Sequence, residues 1–384
     1  MNSEITVVHL TTVHHPFDNR IFHKECVSLA EMGYRVVLVV PHERDKTVQG
    51  VEIRALPKPR NRFFRIFFTT WQACGMALKE QADIYHFHDP ELIPVGLFLR
   101  MLGKKVVYDI HEDYVTSMLY VDRAYLPGPV RFLASKAMAG VESLCGLFFE
   151  KVLAEKYYSK RFPRGVQVLN YPRTDLFPGL NKHVSNPSPT PCISHIPSAP
   201  RLLYTGNITK ERGALQHARL VSLMEDVRVF MVGKCDEQLA EELMETAGAG
   251  KERLYLEGVG RHVPFEEILE YYRQGGCTAG LALFPPTAHY VNKELTKFFE
   301  YMAAGIPIIC SDFPVWRNLM ESTGAGICVD PEDREAVAKA IQYLLDHPGQ
   351  AEEIGCKGRA AVEKEYNWGT QAEQLKGLYQ RLVG

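Results

Sequence analysis

The sequence lacks two features that would each have pointed to a particular class of protein. No run of apolar residues is long enough to span a bilayer, so we expect no transmembrane helix. No Cys-x-x-Cys pair occurs among the nine cysteines, which makes a zinc ribbon or a dithiol redox site improbable. Several cysteines fall within apolar patterns, so we predict buried free thiols rather than a disulfide framework.

An excess of charge of either sign is also missing. The formal net charge is -2, with 23% charged and 46% hydrophobic residues, which describes a globular protein and gives no electrostatic reason to expect nucleic-acid binding. The first residues, MNSEITVVHLTT, lack a basic region followed by an apolar one. The expected location is therefore the cytoplasm.

Two halves of the chain alternate short apolar strands with helical patterns. This alternation predicts an α/β protein with two doubly wound, Rossmann-like domains that face a central cleft. The predicted strands are residues 6–10, 35–40, 84–87, 105–109 and 166–169 in the first half, and 201–205, 227–232, 254–257, 279–284, 306–311 and 326–329 in the second.

A stretch rich in proline, serine and asparagine separates the halves. A chain of 384 residues is also too long for one ordinary core. We therefore predict an amino-terminal domain over 1–180, a linker over 181–200, a carboxy-terminal domain over 201–365 and a final helix over 366–384.

The segment 284–312 carries the strongest functional pattern. It reads as a strand end, a polar loop, a helix that begins near residues 293–296, a Gly stop and a second strand. In an open α/β sheet, such a strand end meets a helix start that attracts phosphate. Glu300, about one turn inside the helix, is placed to accept hydrogen bonds from a ribose diol. An ordinary solvated or capping carboxylate is the alternative.

The run KFFEYMAAGIP, which begins at Lys297, resembles the donor-binding motif of retaining GT-B glycosyltransferases of family 4. That motif has two glutamates separated by seven residues. Here Glu300 matches the second, whereas Asn292 stands at the first. Asn292 or the nearby Glu294 would then contact the sugar. The resemblance implies the GT-B fold, with the final helix packed partly on the amino-terminal domain.

A second segment, YTGNITKERG, resembles the phosphate-binding loop of the same family, where an arginine and a lysine clamp the donor diphosphate. Gly206 matches the family, Asn207 replaces the arginine, and Arg212 stands where the lysine would be. Arg212 is the cation that we carry over, because its planar guanidinium suits phosphate. Lys210 and Lys297 are candidates for the missing charge, and an ordinary surface charge is the alternative for Lys210.

Gly258 follows the predicted strand 254–257, where similar proteins bring the nucleotide base close to the backbone. A plain turn glycine is the alternative. The complete donor-binding set that the resemblance implies is Gly206, Asn207, Arg212, Gly258, Asn292, Glu294, Lys297 and Glu300.

Two predicted strands of the first half end close to histidines, His88 and His111, which places both at the edge of the cleft. The segment DIHE resembles the family segment whose histidine lies beside the donor sugar and the departing phosphate. Imidazole can donate a hydrogen bond to a sugar hydroxyl or to that phosphate. We therefore predict that His111 and Glu300 are catalytic and that His88 lies on the acceptor side. A structural hydrogen-bonding role is the alternative for each histidine.

The loop after the first strand contains HHPFD, which resembles a variant found among bacterial polysaccharide glycosyltransferases. The resemblance assigns His14, His15 and Asp18 to the acceptor side. Asp18 can instead cap the helix that follows. Adjacent histidines point in different directions, so His14 and His15 make a poor metal site.

Together the resemblances imply transfer of a sugar, with retention, from a nucleoside-diphosphate sugar to a saccharide or lipid-linked acceptor in bacterial surface polysaccharide synthesis. The departing diphosphate can take the acceptor proton, so no cofactor and no metal are required. No Asp-x-Asp triplet occurs, which argues against the metal-clamped GT-A class. A nucleotide-sugar epimerase and a non-catalytic sugar-nucleotide-binding protein are the alternatives.

The segment KPRNRFFRIFF, residues 58–68, mixes four cations with aromatic and aliphatic residues. It could lie on an anionic bilayer and bring the enzyme to a lipid-linked acceptor. It could equally form a helix whose aromatic side chains pack into the first domain. Nothing in it matches a recognised RNA-binding module.

Overall fold

The computed structural model describes residues 4–111, 128–177 and 200–384. They form two compact units: unit 1 contains Met1–Asn170 and Trp368–Gly384, and unit 2 contains Tyr171–Asn367. The chain thus enters unit 2 before the boundary predicted at residue 180. The predicted linker, 181–200, lies outside the described residues except for Pro200.

Unit 1 is built on an eight-stranded sheet in the order β3-β4-β2-β1-β5-β6-β7-β8. Neighbouring strands are parallel except for the antiparallel pair β3 and β4. Alternate residues of the central strands enter two separate apolar clusters, as expected for a sheet that is buried on both faces. The strands are β1 Thr6–Leu10, β2 Arg35–Pro41, β3 Lys46–Val48, β4 Val51–Leu56, β5 Ile84–Phe87, β6 Lys105–Ile110, β7 Glu150–Leu153 and β8 Val166–Gln167.

The helices of unit 1 follow its strands, and one returns from the end of the chain. A π-helical turn, Ile21–Cys26, leads into α1, and a second, Arg65–Thr69, joins α2 to α3. The helices are α1 Val27–Glu31, α2 Arg62–Phe64, α3 Thr70–Lys79, α4 Ile93–Met101, α5 Gly128–Cys145 and the C-terminal helix Trp368–Val383.

The C-terminal helix is tied to unit 1 by buried hydrogen bonds. Trp368 Nε1 donates to Ser28 Oγ at 2.7 Å, and the Leu169 backbone N–H donates to Gln371 Oε1 at 2.8 Å. Because these donors and acceptors are buried, losing one partner would leave the other unsatisfied. The helix is therefore part of the unit 1 core.

Unit 2 contains a six-stranded parallel sheet in the order β11-β10-β9-β12-β13-β14. Its strands are β9 Arg201–Thr205, β10 Arg228–Cys235, β11 Leu254–Val259, β12 Ala279–Ala282, β13 Ile308–Ser311 and β14 Gly326–Val329. Its helices are α6 Ala214–Leu223, α7 Glu237–Ala247, α8 Phe265–Arg273, α9 Thr296–Ala304, α10 Pro314–Thr323, α11 Arg334–Asp346 and α12 Pro348–Lys364. The sheet reverses its winding at β9 and β12, the position at which open α/β sheets bind ligands.

The cysteines agree with the prediction of free thiols at six positions, five of them buried: Cys26, Cys74, Cys235, Cys277, Cys310 and, half-buried, Cys328. Cys356 corrects the prediction, because it is disulfide-bonded. Within the described ranges, no helix has the length and hydrophobicity needed to cross a membrane.

Candidate functional site

In unit 2, two cations converge beside Gly206, directly after β9. Gly206 has a positive φ of 94°, and a Cβ added there would lie 3.8 Å from both Arg212 Nη1 and Lys297 Nζ. Arg212 ends the turn Lys210–Arg212, whereas Lys297 is the second residue of α9. The glycine thus leaves an open position that two positive side chains approach.

Lys297 is buried, yet Nζ has no hydrogen-bond partner among the described residues. It lies 3.5 Å from the centroid of the Tyr204 ring and 5.2 Å from that of Phe284. Burial, and then the charge of Arg212, place the pKa of Lys297 well below the usual value. An ammonium in this setting is incompletely compensated, because aromatic faces replace only part of its hydration.

Arg212 is half-buried, and its Nε donates a hydrogen bond to Tyr290 Oη at 2.9 Å. The side chain is also hydrogen-bonded to Tyr204. Among the described residues, neither Arg212 nor Lys297 forms an ion pair with a carboxylate. Two neighbouring cations at a helix start, neither of them in an ion pair with a carboxylate, are the electrostatic features of an anion site.

Glu300 lies in the second turn of α9 and is 8% exposed. Tyr272 Oη donates to Glu300 Oε2 at 2.9 Å and lies 2.8 Å from Thr205 Oγ1. Burial first, and the charge of Glu300 second, raise the pKa of Tyr272 well above its usual value, so the phenol keeps its proton. These contacts fix the Glu300 carboxylate close to the end of β9.

The other predicted donor residues differ in their surroundings. Asn207 is exposed and lines a cavity of about 480 Å³ together with Lys210. Lys210 pairs with Glu242 at 2.6 Å and is 55% exposed, which fits an ordinary surface charge. Asn292 is exposed in the loop before α9, whereas Arg212 is half-buried and Lys297 is buried.

Glu294 and Gly258 complete the predicted donor set. Glu294 is half-buried, and its charge adds to burial in raising the pKa of Tyr171. Gly258 has φ 101°, and an added Cβ would lie 2.5 Å from the carbonyl oxygen of Gly233. Close backbone packing is therefore sufficient to explain the glycine at 258.

In unit 1, Asp109 at the end of β6 binds two of the predicted histidines. His111 Nδ1 and His88 Nδ1 lie 3.0 Å and 3.1 Å from Asp109 Oδ2. His111 Nε2 lies 3.0 Å from His14 Nε2, which is itself 3.3 Å from Asp89 Oδ1. The structure therefore brings His14, His88 and His111 together in one cluster.

Arg20 anchors this cluster from the loop before α1. Its Nε and Nη2 atoms donate to the two oxygens of Asp109 at 2.9 Å and 2.8 Å, and Nη2 lies 3.1 Å from Glu25 Oε1. All three side chains are at most 5% exposed. A two-pronged contact between guanidinium and carboxylate is among the strongest side-chain hydrogen bonds.

The structure places three of the predicted acceptor-side residues, His88, His15 and Asp18, in different surroundings. His88 was expected at an edge, but it is 1% exposed, and both ring nitrogens are hydrogen-bonded inside unit 1 because β5 lies in the middle of the sheet. His15 is exposed and contacts Phe17 rather than the cluster. Asp18 Oδ1 accepts from the backbone N–H groups of Arg20 and Ile21, so it caps the helical turn as its alternative interpretation predicted.

Among the described residues of unit 1, two groups of side chains are close enough to hold a metal ion: His9, Glu25, His86 and His88 form one, and His88, Asp109 and His111 form the other. Hydrogen bonds within the cluster already use most of the nitrogen and oxygen atoms that an ion would bind. The proposal that the reaction needs no metal rests on the sequence resemblance.

Sequence reasoning missed several members of the unit 1 cluster: Arg20, Glu25, His9, His86, Asp109 and Tyr379. His9 and His86 are direct register partners on β1 and β5. A histidine inside each of two apolar strands was a usable signal, but their pairing requires the strand order. Tyr379 lies at the other end of the chain, and nothing local in the sequence connects it with β5.

Two doubly wound units with parallel sheets define the GT-B class of glycosyltransferases. Solved structures of other proteins superpose on nearly the whole length of this chain. Sucrose-phosphate synthase from Thermosynechococcus elongatus matches with a TM-score of 0.70 at 18% identity, covering 99% of both chains. Anabaena HepE in complex with UDP-glucose matches with a TM-score of 0.67 at 12% identity, covering 98% of this chain and 100% of HepE.

The family follows from sequence. Residues 19–142 match the model "Glycosyl transferase 4-like domain", and residues 218–377 match "Glycosyl transferase-like". The phosphatidyl-myo-inositol mannosyltransferase of Mycobacterium leprae is 23% identical over 314 residues, 78% of this chain and 74% of the relative. The Mycobacterium tuberculosis H37Rv enzyme of the same name is 32% identical over 89 residues, 22% and 23% of the two chains. The chain belongs to the family 4 glycosyltransferases and is a transferase; the epimerase and non-catalytic alternatives are not favoured.

Proposed function

We propose that this glycosyltransferase moves a sugar from a nucleoside-diphosphate sugar to a saccharide or lipid-linked saccharide acceptor, with retention, in bacterial surface or extracellular polysaccharide synthesis. The observation that supports a diphosphate donor most directly is the pair of cations beside Gly206. The negative charge of a diphosphate would compensate both Arg212 and Lys297. Solved HepE structures hold UDP and UDP-glucose, which supports a donor of this chemical class.

In the proposed reaction, the bond from the anomeric carbon to the diphosphate oxygen breaks, and a bond to the acceptor oxygen forms on the same face of the sugar. The acceptor proton passes to the departing diphosphate, so the charges balance without a protein base. Arg212, Lys297 and the first N–H groups of α9 stabilise the negative charge on the leaving group. Glu300 binds the ribose diol, and His111 contacts a sugar hydroxyl. No metal takes part.

The donor site is tested by thermal unfolding with UDP-, GDP-, ADP- and dTDP-sugars and their nucleotides. A ligand at a hundred times its Kd should raise the free energy of unfolding by about 2.7 kcal/mol. We expect a selective shift that Arg212→Ala and Glu300→Ala lose. The control is Lys339→Ala, which removes an exposed lysine paired with Glu335 on α11. A shift that survives both site variants would contradict the assignment.

Retention is tested by the anomeric configuration of the product. With the donor identified, NMR of the first product formed should show the same configuration at the anomeric carbon as the donor. An inverted product would contradict retention. Turnover of donor without any acceptor would instead support an epimerase.

A membrane-linked acceptor is supported by an aromatic surface on unit 1. Phe63, Phe64, Phe67 and Phe68 are 40% to 65% exposed, so the interpretation that they pack into the core is wrong. Trp71 on the same helical stretch is 46% exposed. The nearby cations Lys58, Arg60 and Arg62 are exposed too. Exposed rings beside cations suit an anionic bilayer surface.

The membrane contact is tested by sedimentation with vesicles. We expect binding to vesicles that contain phosphatidylglycerol, weaker binding to pure phosphatidylcholine, and loss of binding in the double variant Phe63→Ser/Phe67→Ser. Met101→Ser is the matched control, because Met101 is 78% exposed at the end of α4, outside that aromatic stretch. Equal binding by the double variant would contradict the assignment of this surface.

A further inference from the structure

A continuous chain of hydrogen bonds runs through the interior of unit 1, passes through His111 and ends at His14. Its links measure 2.7 to 3.3 Å between heavy atoms. In order, its members are His86, Tyr379, His9, His88, Asp109, His111 and His14, which we call the histidine chain. Asp109 joins the part of the chain that contains His88 to the part that contains His111.

Asp109 can only accept hydrogen bonds. Burial raises the pKa of this carboxyl, but the charge of Arg20 and the contacts with His111 and His88 together outweigh that effect, so that the pKa lies well below the usual range. The two-pronged contact from Arg20 also occupies both carboxylate oxygens with N–H donors. An ionised carboxylate has no proton to give, so His88 and His111 must each donate from Nδ1.

Every other tautomer in the histidine chain follows from that constraint. A neutral His88 that is protonated at Nδ1 has a lone pair at Nε2, which accepts from His9 Nδ1 at 3.0 Å. His9 Nε2 then accepts from Tyr379 Oη at 3.3 Å, and Tyr379 accepts from His86 Nδ1 at 2.7 Å. The pattern closes without two donors or two acceptors facing each other.

The same constraint decides the chemistry of His111. With its proton at Nδ1, the neutral ring has a lone pair at Nε2, which accepts from His14 Nε2 at 3.0 Å. His14 is the half-buried end of the histidine chain, so it is the donor that a substrate hydroxyl can replace. His111 is thereby an acceptor from a hydroxyl, whereas donation to phosphate from Nε2 would need the opposite tautomer or a second proton.

We propose that Asp109, held by Arg20, is a positioning residue that fixes His111 as the Nδ1–H tautomer, so that Nε2 accepts a hydrogen bond from a sugar hydroxyl of the substrate. The substrate part rests on the proposed function. The tautomer part does not, because it concerns unit 1 without any ligand. Asp109 itself acts only through His111.

The tautomer is measured by two-bond ¹H–¹⁵N correlation spectra of protein labelled with ¹⁵N-histidine, with His111 assigned through the signals missing from His111→Gln. We expect the Nδ1–H pattern for His111 in the wild type. Asp109→Asn should change it to the Nε2–H form or to a mixture. Asp83→Asn is the matched control, because Asp83 is exposed in the same unit and accepts from the Thr6 backbone N–H.

The wild-type spectrum decides the proposal even if Asp109→Asn does not fold. An Nε2–H tautomer of His111 in the wild type would overturn it, as would an unchanged His111 pattern in folded Asp109→Asn. Once a donor is known, Asp109→Asn should lower kcat about a hundredfold with little change in the donor KM. A correct tautomer with no turnover on any donor would contradict the proposed function and leave the positioning role standing.

Discussion

The two units differ in the partners that surround their buried charged side chains. In unit 1, hydrogen bonds of 2.7 to 3.3 Å join Arg20, Asp109 and the histidine chain, although His86 Nε2 has no hydrogen-bond partner among the described residues. In unit 2, Arg212 and Lys297 approach each other across an open position beside Gly206, and Lys297 lacks a hydrogen-bond partner among the described residues. Arg20 of unit 1 thus has a carboxylate in hydrogen-bonding contact, whereas Arg212 and Lys297 of unit 2 have none among the described residues.

This difference distinguishes side chains that are held in place by hydrogen bonds from side chains that are available to bind a ligand. A network of buried hydrogen bonds holds its members in fixed orientations. Two neighbouring like charges destabilise the free protein, and an anion that binds between them reduces that penalty. In the proposed reaction, unit 1 would therefore contribute a positioned imidazole, whereas unit 2 would contribute affinity for an anion. The same substitution should then have different effects in the two units.

The largest contrast is predicted for Arg→Met. Arg20→Met leaves Asp109 buried without its cation, which should lower the free energy of unfolding by about 3–5 kcal/mol. Arg212→Met removes a cation that has no carboxylate partner in the described residues, so stability should change by less than about 1 kcal/mol. Urea unfolding followed by circular dichroism measures both. Similar losses in the two variants would remove the distinction between the units.

The second contrast concerns ligand affinity. Lys297→Met should weaken binding of the preferred nucleoside diphosphate roughly ten- to a hundredfold, because a charged hydrogen bond contributes about 1.5–3 kcal/mol. In the wild type, affinity should fall as pH rises through the lowered pKa of Lys297, well below its usual value of 10.5, because the neutral amine no longer attracts phosphate. Calorimetric titration at several pH values measures both effects.

Lys297→Arg is the control for the pH dependence. Arginine stays charged throughout this range, so the affinity of a folded Lys297→Arg variant should vary little with pH. An identical pH profile in the variant and the wild type would show that another group controls binding.

Much of the fold could be predicted from local patterns. Every predicted strand of unit 2 corresponds to one in the structure, and 201–205 and 326–329 match in both bounds. The hairpin of β3 and β4 was missed, although Gln49 and Gly50, with φ 50° and 79°, form its turn. The segment KTVQGVEIRAL is short and polar, and a two-residue turn without Asn or Asp gives a weak hairpin signal.

The site was less predictable where it depends on strand order. Arg212, Lys297 and Glu300 could be named because the motif that contains each one is local. Asp109 belongs to the DIHE segment, but the sequence did not indicate a role for it. Its structural role depends on the hydrogen bond from Arg20, which lies 89 positions away in the sequence. Tyr379 joins His86 from 293 positions away. Contacts across such distances are set by topology, which a single sequence does not specify.

A third contrast concerns acid. Burial is the main cause that lowers the pKa values of His9, His86 and His88 in unit 1, whereas one described histidine of unit 2, His217, is shifted strongly in the same way. A histidine with a lowered pKa stabilises the fold above its unfolded value of 6.5, and this contribution is lost as pH falls below it. Unit 1 should therefore lose protection first on acidification.

Hydrogen exchange resolved by peptide, followed as the pH is lowered below 6.5, measures this contrast. Exchange rates must be corrected for their intrinsic dependence on pH. Peptides from β1 and β5 should lose protection before peptides from β9 and β12. His9→Gln, which removes one of the three titrating rings, should reduce the pH dependence of unit 1. Simultaneous loss in both units would contradict the prediction.

The smallest effect on nucleotide affinity is predicted for substitution of Lys210. Its measurement decides which lysine supplies the positive charge that is missing at Asn207. Lys210 lies close to Arg212 in sequence, but it is exposed and pairs with Glu242 at 2.6 Å, so its charge is already compensated in solvent. Lys210→Met should leave nucleotide affinity within twofold of the wild type, roughly 0.4 kcal/mol. A loss as large as that of Lys297→Met, measured in the same titration, would mean that the diphosphate binds toward the cavity lined by Asn207 rather than beside Gly206.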